Sequence, residues 1–401
     1  MKRTTRLGSA AGTLLLCAGL ASKPALRAQN TAAAPTSAAA MVRFAFGGNV
    51  AQLPAQFDDN LVFVPVRVNQ GQPSMFQLDT SAAVSSIDPA RAAELGVANL
   101  RSPVLNLTDV DFSLAQLGSQ TNNDFGPRLG RGYEGTIGND MLSGAVIEID
   151  YGRQTVRLYD PASYHYKGAG KGFPLTMRDG MPAVRAKVDV AGRKSGEALF
   201  VINTALDVPL LISDRFANQR HFFSSHLKTV PLASGELGVG GKAVLGRVEY
   251  FEIGPYQIQA PLAAFAEGPL PGDDSQIAGE IGGGMLRRFT VTLDYASHLA
   301  YFDGNSEIHA DDHEDMSGIS IAATGPGWRT LEVVQVRPGS PGADAGVQKG
   351  DLIEGVDDEA AADISVTSAR ELFRNVGHRY KLLINRDGKT MTINVTMHRA
   401  L

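Results

Sequence analysis

Phe76-Gln77-Leu78-Asp79-Thr80-Ser81-Ala82 and Phe200-Val201-Ile202-Asn203-Thr204-Ala205-Leu206 are two versions of one segment, an apolar strand that runs into a polar residue, a threonine and a small residue. A second matching pair follows them, Gly135-Thr136-Ile137-Gly138-Asn139-Asp140-Met141-Leu142 and Gly279-Glu280-Ile281-Gly282-Gly283-Gly284-Met285-Leu286. The copies also close alike: an apolar strand ends in Asp150-Tyr151 in one and in Asp294-Tyr295 in the other, each followed by a turn and another strand. The chain is therefore an internal duplication, and two lobes of similar fold are expected. Only the first copy keeps a carboxylate at the strand end, Asp79; the second has Asn203.

Period-2 patterning fixes the elements around the first copy. Val62, Val64, Val66 and Val68 alternate with other residues, and Asn69-Gln70-Gly71-Gln72 supplies a turn before Phe76-Gln77-Leu78, so a hairpin delivers Asp79 at a strand end. Asp88-Pro89 then opens a short helix through Ala90, Ala92, Ala93 and Leu95, which Gly96 stops. Gly238-Val239-Gly240-Gly241-Lys242 lacks the Ser or Thr and the following helix of a phosphate loop; a β-hairpin is the better reading. Its counterpart in the first copy, residues 109–123, has few alternating apolar residues.

The order apolar-apolar-Asp-Thr-small, then apolar-Gly, then an aliphatic strand resembles the aspartic peptidases of the retropepsin and pepsin type. The resemblance implies a mainly β fold of two tandem retropepsin-like lobes, residues 42–165 and 166–306, with the two loops facing each other. In that family the threonines, here Thr80 and Thr204, tie the loops together, and two aspartates share one proton so that one acts as general base and the other as general acid. Asp79 matches the first aspartate and would be the general base, but Asn203 replaces the second, and an amide cannot exchange a proton near neutral pH. Ser81 and Ala205 stand where the family has glycine, and each adds a Cβ to the pocket. Asp207 lies four residues beyond Asn203, roughly 13 Å along an extended chain, too far to substitute. The expectation is a cleft that binds extended polypeptide with little or no hydrolysis. The alternatives are an active endopeptidase relying on Asp79 and an envelope scaffold protein.

Downstream, Leu331-Glu332-Val333-Val334-Gln335-Val336, then Ser340-Pro341-Gly342-Ala343-Asp344-Ala345-Gly346, then Lys349-Gly350-Asp351-Leu352-Ile353 resembles a bacterial PDZ domain, a small α+β barrel expected over residues 318–401. A helix from Ser368 through Phe373 and strands Lys381 to Ile384 and Thr390 to Val395 complete it. The resemblance implies capture of a peptide C-terminus beside a strand. Gly318, Ile319 and Ser320 would form the carboxylate loop, Ile321 would face the core or the side-chain pocket, and Leu372 would line the opposite wall.

Composition bounds the rest. A net charge of -5 over 401 residues, with no long Lys or Arg run, gives no field for nucleic acid. Lys2, Arg3 and Arg6, the apolar run around Leu14-Leu15-Leu16 and small residues up to Ala28 read as a signal peptide over residues 1–28, hence export to a periplasm or the outside. Lys23 and Arg27 interrupt the stretch before the roughly 20 apolar residues of a stable membrane anchor. Residues 29–41 read as a flexible tether. The single cysteine, Cys17, lies in the leader, so the remainder has no disulfide or thiol chemistry. Residues 307–317 are acidic and polar and read as a solvated linker. His309 and His313 within it have helical metal-ligand spacing but no apolar scaffold, so neither metal nor cofactor is expected.

Overall fold

The structure is a computed structural model, described here over residues 40–97, 101–121, 126–224, 226–232, 242–269 and 276–401. The leader, most of the tether, part of 109–123 and the segment 233–241 containing Gly238 lie outside the described residues. Within them the protein is mainly β, and the expected duplication is visible strand by strand.

In the first lobe Ser74–Leu78 is hydrogen-bonded on one side, antiparallel, to Leu61–Val68 and on the other, parallel, to Gly135–Ile137, with Phe76 opposite Gly135 and Leu78 opposite Ile137. The second lobe repeats this arrangement. Ala198–Asn203 lies between Met181–Val190, antiparallel, and Ile277–Gly282, parallel, with Ile202 opposite Ile281. Strands flanked on both sides read as near-continuous apolar runs, and Phe76, Leu78, Phe200 and Ile202 are all buried. The antiparallel neighbour beyond also recurs, Ser86–Ile87 in one lobe and Leu210–Ile212 in the other. Each is followed by a capped helix: Asp88 accepts from Ala90 N at the start of Pro89–Glu94, and Ser213 accepts from Phe216 N at the start of Asp214–Gln219.

The closing strands join the lobes. Val146–Asp150 and Phe289–Asp294 pair antiparallel, Val146 opposite Asp294 and Asp150 opposite Thr290, at the centre of a six-stranded sheet. One apolar core runs through both lobes and this sheet. Two halves stitched this way hold their strand ends in fixed relation, a requirement for any site between them.

The C-terminal segment has its own core, from Met316 and Ile319 to Met397. Its sheet runs in the order Ile319–Thr324, Thr330–Val336, Leu352–Val356, Arg379–Arg386, Lys389–Thr396. The Ser-Pro start is a cap, Ser340 Oγ accepting from Ala343 N at 3.4 Å, and the stop is Gly346 at φ 88°, a left-handed conformation that favours glycine. The later helix is Val366–Leu372, two residues earlier than its sequence pattern suggests, because Ser365 caps it by accepting from Ser368 N.

The acidic stretch is not the solvated linker expected from its composition. Asp312 is buried against Arg288, 2.8 Å away, and accepts from Leu262 N, while Glu314 is buried against Arg247 at 3.1 Å and accepts from Ala400 N and Leu401 N. Carboxylates are tolerated inside only when paired and hydrogen-bonded, and here arginines distant in sequence supply the pairing. His309 and His313 are exposed.

Candidate functional site

The buried strand Ser74–Leu78 ends at Asp79, whose amide donates to Ile137 O of the parallel neighbour at 3.0 Å. Its Oδ1 accepts three bonds, from Ser81 N at 2.8 Å, Ser81 Oγ at 2.6 Å and Ala82 N at 3.1 Å. Burial pushes the Asp79 carboxyl above its ordinary value, against the opposing pull of those bonds, which favour the carboxylate. Ser81 therefore supplies both its backbone N–H and its hydroxyl to the aspartate.

The second loop is built alike, with an amide. Asn203 Oδ1 accepts from Ala205 N at 2.8 Å, the counterpart of the Ser81 N bond to Asp79. That contact fixes the orientation of the amide: the oxygen must face the backbone N–H, so Nδ2 points away as a donor. It donates to Glu280 Oε2 at 2.5 Å. Glu280 sits on Ile277–Gly282, opposite Val201, where the first lobe has Thr136. Its carboxyl is pushed up by burial, pulled back by the Asn203 bond, and raised further by the charge on Asp79. Glu280 lies in a duplicated segment but is not among the residues to which the family resemblance gives a role. The available signal was an acidic residue inside an otherwise apolar strand, two residues before the glycine that pairs with Asn203.

The threonines lock the loops to each other. Thr80 N donates to Thr204 Oγ1 at 3.1 Å and Thr204 N to Thr80 Oγ1 at 3.2 Å. Each hydroxyl reaches the opposite strand, Thr80 Oγ1 donating to Ile202 O at 2.5 Å and Thr204 Oγ1 to Leu78 O at 2.7 Å. Both threonines are buried. Behind them Asn139 Nδ2 donates to Thr80 O at 2.6 Å, and Tyr295 Oη of the other lobe donates to Asn139 Oδ1 at 2.7 Å. Gly138 and Gly282 permit the close approach: a Cβ would lie 2.7 Å from Val84 C in one case and 2.1 Å from Val208 O in the other. Asp79, Thr80, Ser81, Asn203, Thr204 and Ala205 thus form one constellation, with Glu280 added. Tyr133 is buried nearby, its phenol held neutral by burial and by the charge of Asp79. Asp207 is turned to Arg128, with which it forms an ion pair.

The C-terminal candidates lie apart from this constellation. Ile319 and Ile321 are buried in the local core, Ser320 and Leu372 are half-buried, and Gly318 has φ 66°. The loop's N–H groups are occupied from within: Asp315 Oδ1 accepts from Ser317 N and Gly318 N, both at 2.8 Å, and Ser317 Oγ accepts from Ile319 N at 2.9 Å. The outer edge of Ile319–Thr324 faces the short helix Gly126–Leu129 of the first lobe, which packs on both that strand and Val366–Leu372. There is no spare volume in this contact, since a Cβ on Gly126 would lie 2.5 Å from the Trp328 ring and one on Gly130 2.8 Å from Val366. Asp59 anchors the same side, 3.9 Å from Arg370 and 3.8 Å from Arg374, while Arg370 donates to Ile321 O and Thr367 to Asp58.

Fold and site together define a mainly β protein whose two lobes meet at paired polar loops and whose C-terminal part is a PDZ domain. The family model for the PDZ domain matches residues 332–386. Among solved structures, the chain is similar to a photosystem II D1 C-terminal processing protease, at 25% identity over 20% of this chain and 22% of that one, TM-score 0.19. It is also similar to an aspartic proteinase from Irpex lacteus, at 11% identity over 65% of this chain and 99% of that one, TM-score 0.40. The chain spans 22% of the length of the processing protease. No curated protein sequence matches it.

Proposed function

We propose that this is an exported aspartic-peptidase-like protein that binds extended polypeptide in the cleft between its lobes. The observation that carries the reading is the reciprocal Thr80–Thr204 lock, which holds two strand-end loops face to face around Asp79. Such a lock costs chain entropy to form, and it serves a purpose when the groups it positions act on something held between the lobes. With Asn203 in the second loop, the route through two loop aspartates is closed. Export is proposed on the basic, then apolar, then small-residue pattern of the N-terminus.

The PDZ domain is the second peptide-binding element of this reading, capturing a chain end while the cleft holds the body of the same polypeptide, an arrangement that raises apparent affinity when one chain spans both sites. A peptide C-terminus entering beside Ile319–Thr324 has to displace the helix Gly126–Leu129 and compete with the Asp315 carboxylate for the loop N–H groups.

The test is binding of a fluorescein-labelled, unfolded casein to residues 29–401, read by anisotropy, with Thr204→Val beside the parent. Binding that weakens at least tenfold in the variant is the expected result. A parent that binds no unfolded polypeptide refutes the reading and leaves the scaffold alternative.

A further inference from the structure

We propose that Glu280 is the second acid–base carboxyl of the cleft, that Asn203 positions it, and that Asp79 and Glu280 together hydrolyse peptide bonds. The inference rests on the cleft being a polypeptide-binding site and adds a reaction to it.

The geometry is specific to this chain. Glu280 and Gly282 lie on one face of their strand, two residues apart, and Gly282 is the register partner of Asn203. The Glu280 side chain therefore runs along that face toward the loop and meets the outward N–H of Asn203 at 2.5 Å. The other side of the same amide is fixed by Ala205 N, and the loop itself is fixed to the Asp79 loop by the threonine lock. Thr80, Thr204 and Asn203, which link the two loops and reach Glu280, are buried and hydrogen-bonded. Neither carboxyl has an ion-pair partner among the described residues, and the charge of Asp79 acts on Glu280, raising its carboxyl after burial has done so. The first lobe's equivalent of Glu280 is Thr136. One lobe offers its acid from the loop, the other from the neighbouring strand.

The reaction balances with one carboxyl ionised and one protonated. Ionised Asp79 takes a proton from water as the water oxygen bonds to the peptide carbonyl carbon, and protonated Glu280 gives its proton to the carbonyl oxygen, producing a gem-diol. In collapse the gem-diol returns one hydroxyl proton to Glu280, Asp79 gives its proton to the nitrogen, and the C–N bond breaks. An acid and an amine leave, and both side chains recover their starting states. No co-reactant is required.

The experiment measures cleavage of the labelled casein by mass spectrometry across pH 3 to 7, and its binding by anisotropy, for residues 29–401 and for Glu280→Gln, Asp79→Asn and Asn203→Ala. Glutamine keeps an oxygen to accept the Asn203 bond, so Glu280→Gln tests the proton and not the fold. Expected are Asp79-dependent cuts by the parent, a loss in kcat of about 100-fold or more in Glu280→Gln with casein still bound, and a displaced pH profile in Asn203→Ala. A parent that binds but does not cut, or Glu280→Gln that cuts as fast as the parent, overturns the proposal and leaves the binding site standing. A parent that neither binds nor cuts overturns both.

Discussion

Replacing Thr204 by valine keeps the side-chain volume and removes one hydroxyl, so its effect isolates the lock between the lobes. In the parent that hydroxyl accepts from Thr80 N at 3.1 Å and donates to Leu78 O at 2.7 Å, with the threonine 1% exposed. Valine leaves a buried N–H and a buried carbonyl each short of a partner, and each costs about 1–3 kcal/mol. The sum is about 4 kcal/mol, taken at mid-range. At a urea slope of about 3 kcal/mol per molar, the unfolding midpoint of the lobes falls by more than about 1 M. Thr204→Ser retains both bonds and loses one methyl, about 1 kcal/mol, and so separates hydrogen bonding from packing. Urea titration followed by circular dichroism, with amide exchange at Thr80 as a local readout, measures both. Valine and serine variants unfolding at the same midpoint would refute the argument, because the lock would then carry no more energy than its methyl group.

The two cleft carboxyls give a pH dependence of definite sign. Burial, foremost, raises Asp79 from 3.8 and Glu280 from 4.5 in the folded state, so their contribution to stability is complete below those values and is lost as pH rises through the raised ones. A double Asp79→Asn, Glu280→Gln variant loses this dependence and gains stability at pH 7 relative to pH 4; equal pH slopes of the urea midpoint in parent and variant sink the claim. Asp59→Asn suits the local φ of 48° and removes a carboxylate whose charge burial and Asp207 oppose, so that losing its contacts to Arg370 and Arg374 costs no more than about 1 kcal/mol. Amides of Val366–Leu372 should then exchange faster, and C-terminal peptides should bind the full chain more tightly; unchanged exchange contradicts the contact's importance. Gly126→Ala places a Cβ 2.5 Å from the ring of Trp328, the chain's one tryptophan, so its emission maximum should shift, whereas an unaltered spectrum means the lobe and PDZ domain separate in solution.

The duplication was legible because it is written in local runs. Apolar strand, polar end, threonine and small residue recur in order, and each copy brings its own closing Asp-Tyr. The PDZ elements were legible for the same reason, through the Ser340 cap and the Gly346 stop. What escaped is held by pairs far apart in the chain. The acidic composition of residues 307–317 announces charge but not Arg288, 24 positions from Asp312, or Arg247, 67 positions from Glu314. The packing of Gly126–Leu129 on the PDZ domain is likewise invisible, since a glycine at 126 states only that something comes close, and the something is Trp328.

Glu280 belongs to a third kind, a residue whose meaning lies in the difference between two equivalent positions. Read alone, Gly279-Glu280-Ile281-Gly282 is a strand with one charge on it. Aligned with Gly135-Thr136-Ile137-Gly138, it shows a hydroxyl exchanged for a carboxyl at the residue next to the loop strand, in the same lobe where the loop has exchanged a carboxyl for an amide. The two exchanges lie 2.5 Å apart across the Asn203–Glu280 bond. A buried carboxyl is costly unless it is hydrogen-bonded, and an amide with its oxygen engaged offers a donor on its other side. Asn203 and Glu280 therefore account for each other: aspartate at 203 would set two like charges against each other, and threonine at 280 would leave the Asn203 N–H without this acceptor. The second lobe's carboxyl stands one strand over from its loop, held by the Asn203 amide.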